Sequence, residues 1–116
     1  MPHLLLEYTN NIDFHPGSST LLHDIHLLLA EELPTDLSSC KSRCIAHDLY
    51  YVGDGSKNNA FIHLTIKVLS GRSDEKKRFI AEEILGLLNE YFSEYKNILS
   101  LQLSVELLDL DKNYFK

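Results

Sequence analysis

The chain has 116 residues, 44% of them hydrophobic and 24% charged, and a formal net charge of −6. That length accommodates one domain over residues 1–116 with its own core, at a size where association with further copies often completes burial. An acidic balance without any Lys/Arg run excludes nucleic acid and anionic membrane surfaces as principal partners. Leu4 to Leu6 is too short an apolar stretch for an export signal and no window spans a bilayer, so the expected compartment is cytoplasmic.

Met1-Pro2-His3-Leu4-Leu5-Leu6-Glu7-Tyr8 opens the chain and reads as a buried strand over about residues 2 to 8. Proline is tolerated at the first position of a strand, where no ladder N–H is needed. If Met1 is removed, however, the Pro2 nitrogen becomes a secondary amine. A free α-amino group titrates at about 8, and burial or nearby cations would make it a neutral base near pH 7. Both readings of Pro2, strand opener and base, stay open on these residues. Turn and N-cap residues fill Asn10 to Ser19, after which Leu21, Leu22, Ile25, Leu28 and Leu29 recur on one helical face until Pro34 stops the run.

A second strand is predicted from about Ser39 to Val52, closed by the turn Gly53-Asp54-Gly55-Ser56. On it Lys41 and Arg43 project from one face and Cys40, Ser42 and Cys44 from the other. The two cysteines lack the spacing of a zinc site and read as small core residues. The second half repeats the plan. Residues Ala60 to Leu69 form a strand, Gly71-Arg72-Ser73 turns the chain, and a helix from Asp74 to about Tyr95 carries the stripe Ile80, Ile84, Leu87, Leu88, Tyr91 and Tyr95. Leu101, Leu103, Val105 and Leu107 alternate along a last strand, Leu101 to Leu108.

The fold class is therefore α+β: two β-α-β units forming a four-stranded sheet with both helices on one face. The other sheet face must be wet or meet another subunit, and apolar residues assigned to both sides of the strand at 60–69 favour a homo-oligomer.

This duplication, with Met-Pro at the head of its first strand, resembles the tautomerase superfamily. Within it the chain is similar to the 5-carboxymethyl-2-hydroxymuconate isomerases. The matching stretches are Met1-Pro2-His3 with Glu7, Lys41-Ser42-Arg43, Ala60-Phe61-Ile62-His63-Leu64-Thr65-Ile66-Lys67, Gly71-Arg72-Ser73 and Asn113-Tyr114-Phe115-Lys116. The resemblance implies a homotrimer with sites near subunit boundaries and no metal or organic cofactor. It implies an activity too: proton transfer by Pro2 that converts a 2-hydroxymuconate dienol to its 2-oxo-3-ene form, in homoprotocatechuate-type aromatic catabolism.

A substrate of that kind carries three carboxylates, and an acidic protein must concentrate cations to hold it. Lys41, Arg43 and Arg72 are the candidates, the last beside a helix N-terminus. Their field would also lower the amine pKa of Pro2. On the residues alone, Lys41 and Arg43 read equally as solvated strand positions and Arg72 as a partner for Asp74 or Glu75; the resemblance matches Arg72 to a substrate-binding arginine. Lys41 stands where that family often has arginine, keeping the charge but losing the bidentate fork. Two other functions fit: a broader tautomerase acting on phenylpyruvate-like enols, and a trimeric ligand-binding module without turnover.

The histidines carry less. His23 and His26 lack a third metal ligand, His63 is expected to make a core hydrogen bond, His47-Asp48 has no nucleophile partner, and alternation turns His3 away from the face of Pro2.

Overall fold

The computed structural model describes all residues, Met1–Lys116. The strands are β1 (His3–Thr9), β2 (Lys41–His47), β3 (Asn59–Val68) and β4 (Ser100–Asp109), and the helices α1 (Leu21–Glu32) and α2 (Asp74–Tyr91). The sheet order is β2-β1-β3-β4. β1 runs parallel to β2 and β3 parallel to β4, each pair joined through its helix, while β1 and β3 are antiparallel at the centre. This is the duplicated β-α-β arrangement expected from the sequence.

Strict alternation makes the core. Leu4 and Leu6 of β1 and Ile62, Leu64 and Ile66 of β3 are buried against Ile25 and Leu29 of α1 and Ile80, Ile84 and Leu88 of α2, in one cluster of 19 buried residues. Leu101, Leu103, Val105 and Leu107 pack on its margin. Cys40 is buried, Cys44 is half-buried beside the core, and both thiols are free. Ser73 caps α2, its hydroxyl accepting from Lys76 N at 3.1 Å, and Asp74 and Glu75 complement the dipole in the first turn.

Three expectations are corrected. β2 ends at His47 rather than Val52 because its last pairing is Thr9↔His47. β1 leaves the sheet beyond that point, and residues 48–58 run on without a partner strand, with Leu49 94% exposed. α2 ends at Tyr91: the core takes Phe92, 1% exposed, in place of Tyr91, and a 3-10 turn over Ser93–Asn97 follows. Tyr95 then reaches the β1–α1 loop, its hydroxyl accepting from Asp13 N at 3.0 Å and donating to Asp13 O at 3.1 Å. Finally, β3 is continuously apolar on one side only, and Phe61 is the single apolar residue among those on its open side. Its open side shows Phe61, His63, Thr65 and Lys67, so that strand does not itself argue for a buried outer face.

Candidate active site

Register assembles the neighbourhood of Pro2. The parallel pairing His3↔Lys41 brings the start of β2 beside the head of β1, and the Pro2 carbonyl accepts from Lys41 N at 3.0 Å. The antiparallel pairing His3↔Lys67 brings the end of β3, and with it the loop to α2, to the same place. Pro2 itself is buried.

Arg72 lies in that loop, after Gly71, whose φ of +117° only glycine adopts readily. The guanidinium does not pair with Asp74 or Glu75. Its Nη1 donates to Leu69 O at 2.9 Å and its Nη2 to Leu33 O at 2.7 Å. Leu33 is the C-cap of α1, where a carbonyl left without a helical N–H partner and the helix dipole both favour a cation. Two carbonyls thus hold Arg72 half-buried, with donors of its fork still unused.

The amine of Met1, the neighbour of Pro2, shows what this concentration of charge does. Its pKa is held below the ordinary value of 8.0, first by burial, then by Lys116 and Arg72, with Lys41 adding to the effect and Cys40 opposing it. Burial pushes the Cys40 thiol up, so it opposes the cations only at pH values high enough to ionise it. Pro2, Arg72 and Lys41 are therefore brought together. Lys116 joins them, a residue to which the sequence analysis assigned no role. Its only signal was membership of the C-terminal Asn-Tyr-Phe-Lys stretch.

Arg43 is placed differently. With Lys41, it lies on the open side of β2, and its Nη1 donates to His3 Nδ1 at 3.0 Å. Because arginine can only donate, His3 carries its proton on Nε2 and donates to the Tyr114 hydroxyl at 2.8 Å. The His3 pKa is lowered by burial, then by Arg43, Lys41 and the N-terminal amine, which keeps the ring neutral. His3, Arg43, Thr65, Lys67 and Tyr114 border an open hollow of about 530 Å³ floored by Leu5 and Ile45. Every ion pair in the structure uses other cations, namely His15, His47, His63, Lys76 and Lys77, so Lys41, Arg43, Arg72 and Lys116 have no carboxylate partner.

Three further histidines, His26, His47 and His63, have polar partners within the sheet and its helices. His26 bonds Ser42 Oγ at 2.6 Å, and His47 faces Glu7 at 3.1 Å. His63 is not in the core as expected; it lies on the open sheet face, bonded to Ser104 Oγ at 2.7 Å. No group of three or more His, Cys, Asp or Glu side chains is arranged to hold a metal ion, and no helix is long and apolar enough to cross a membrane.

A duplicated β-α-β sheet of this topology is the fold of the tautomerase class of isomerases. The chain belongs, within that class, to the 5-carboxymethyl-2-hydroxymuconate isomerase family, whose model matches residues 2–116. It is 28% identical over 110 residues to the 5-carboxymethyl-2-hydroxymuconate Delta-isomerase of Escherichia coli, covering 95% of this chain and 87% of that protein. The crystal structure of a 5-carboxymethyl-2-hydroxymuconate isomerase from Deinococcus radiodurans R1 superposes with a TM-score of 0.87 at 26% identity, covering 99% of this chain and 87% of that one. A fused 4-OT wild-type symmetric trimer shares the fold at 15% identity, with a TM-score of 0.69 over 97% of this chain and 89% of that one.

Proposed function

We propose that this isomerase moves a proton within 5-carboxymethyl-2-hydroxymuconate, with the Pro2 amine, freed by removal of Met1, as the base. The observation that carries this reading is a buried Pro2 set among cations without carboxylate partners, next to a Met1 amine whose pKa burial and those same cations lower. Pro2 takes the proton of the 2-hydroxyl group and returns it to the far carbon of the diene, giving the 2-oxo-3-ene product. Negative charge grows on the oxygen between these steps, and the unused donors of Arg72 stabilise it. Lys41 holds a carboxylate as a point charge, and Arg43 offers its remaining N–H groups to another from the open hollow. The isomerisation involves no net oxidation or reduction, so it calls for no redox cofactor. The pathway in this reading is homoprotocatechuate-type catabolism.

A homotrimer belongs to the same proposal. It is supported by the symmetric trimer with this fold and by β2, which leaves one sheet edge unpaired.

Intact mass of the untagged protein, followed by turnover of 5-carboxymethyl-2-hydroxymuconate by wild type and Pro2→Ala, tests the base. Loss of Met1 and a fall in kcat of about a hundredfold or more in Pro2→Ala is expected. Unchanged turnover in that variant would refute Pro2. Turnover of phenylpyruvate in place of the dienol tricarboxylate would move the assignment to a broader tautomerase.

A further inference from the structure

His3 follows the proposed base directly, and its ring is clamped on both nitrogens, by Arg43 on one side and Tyr114 on the other. Tyr114 also meets the imidazole edge-on, with ring centroids 5.5 Å apart at 74°. The approach of the C-terminal segment is fixed as well. Leu110 N donates to the Val68 carbonyl at the end of β3, and the Asp111 turn is closed by bonds from Asn113 N to Asp111 Oδ2 at 2.8 Å and from Tyr114 N to Asp111 O at 3.0 Å. Phe115 beyond it is 85% exposed, so the Tyr114–His3 contact, not burial, ties down the last residues.

Tyr114 accepts the His3 proton, and its side chain borders the same hollow as Arg43 and Lys67. Lys116 is two residues beyond Tyr114, so the His3–Tyr114 bond keeps it within reach of the head of β1, where it joins Arg72 and Lys41 among the charges that lower the pKa of the Met1 amine. Lys116 makes no ion pair, and neither do the other cations gathered there. In a chain of net charge −6, a cluster of unpaired cations at one end of the sheet is a site for a multiply charged anion.

We infer that Tyr114 is a positioning residue: its hydroxyl, held by His3, latches the C-terminal segment against the head of β1 and thereby supplies Lys116 as a further carboxylate-binding cation of the site. The inference rests on the proposed tricarboxylate substrate and assigns Tyr114 and Lys116 a part in its affinity. Tyr114 acts through Lys116, so removing either should have one and the same effect. The hydroxyl is the decisive group, because phenylalanine would keep the ring contact and lose the bond.

The test is calorimetric binding of tricarballylate, a non-reacting tricarboxylate, to wild type, Tyr114→Phe, Lys116→Gln, the double variant and Lys116→Arg, with dienol turnover measured alongside. Each of the first two substitutions is expected to weaken binding about three- to fivefold, as for an exposed ion pair. The double variant should be no weaker than the worse single one, and Lys116→Arg should restore affinity. In turnover the same variants should raise KM with kcat nearly unchanged. Wild type that does not bind tricarballylate, affinity unmoved by Tyr114→Phe, or multiplicative losses in the double variant would overturn the latch. If the binding pattern holds while wild type fails to turn over the dienol, the latch stands and the proposed reaction falls.

Discussion

The two faces of the central strands obey different rules. Toward the helices, Leu4, Leu64 and Ile66 are fully buried and interchangeable in chemical kind, all aliphatic. Toward the open side, the same strands show His3, Glu7, His63 and Lys67, each with its own chemistry and, for the three apart from Lys67, a defined partner. One strand thus does two jobs with a period of two residues: one side supplies stability by removing apolar surface from water, the other supplies charge. Pro2 sits where the two meet, buried like a core residue yet beside cations.

Substitutions on the two sides should therefore separate stability from chemistry. Leu64→Ala removes a fully buried side chain and should destabilise by about 3 kcal/mol in chemical denaturation. Its open-face neighbour Thr65→Ala should stay within about 0.5 kcal/mol. Equal losses would erase the distinction. At the junction, Arg72→Lys keeps the charge but cannot span both Leu33 O and Leu69 O. A fall of about tenfold in kcat/KM is expected, the worth of one charge-assisted hydrogen bond. The smallest effect is one of pH. Burial and the cations that lower the pKa of the Met1 amine would act on a freed Pro2 amine in the same direction, so the acid limb of kcat/KM should lie below pH 8. Lys116→Gln removes a charge that lowers the amine pKa and should move this limb upward; Arg72 and Lys41 act in the same direction as Lys116, and Cys40 against it. A limb that moved down in Lys116→Gln would contradict the assignment.

Where the pattern of side chains was local, the sequence revealed it. The aliphatic alternation of β3 and the helical stripe of α1 name their own buried residues, and the order of elements implies the topology. Endings were less legible because a partner decides them. Tyr50, Tyr51 and Val52 have strand-forming side chains, yet β1 has already left the sheet at that point and no ladder can form. Whether Tyr91 or Phe92 enters the core depends on how α2 meets the β1–α1 loop, where Phe14 packs against both rings. In the candidate site, Pro2, Lys41 and Arg72 could be selected by residue type and position. The two carbonyls that hold Arg72, and the link from Arg43 through His3 to Tyr114, join residues up to 111 positions apart and have no local signature.

The loop over residues 48–58 lies at the end of the sheet away from Pro2, separated from it by the seven residues of β1, roughly 20 Å of extended chain. It has no strand partner, and its exposed Lys57 contributes only a backbone carbonyl, to Asn11. Fluorophores, affinity handles or inserted peptides can be attached there without touching the charged end of the molecule, whereas an extension on Pro2 would block the amine and one beyond Lys116 would crowd it.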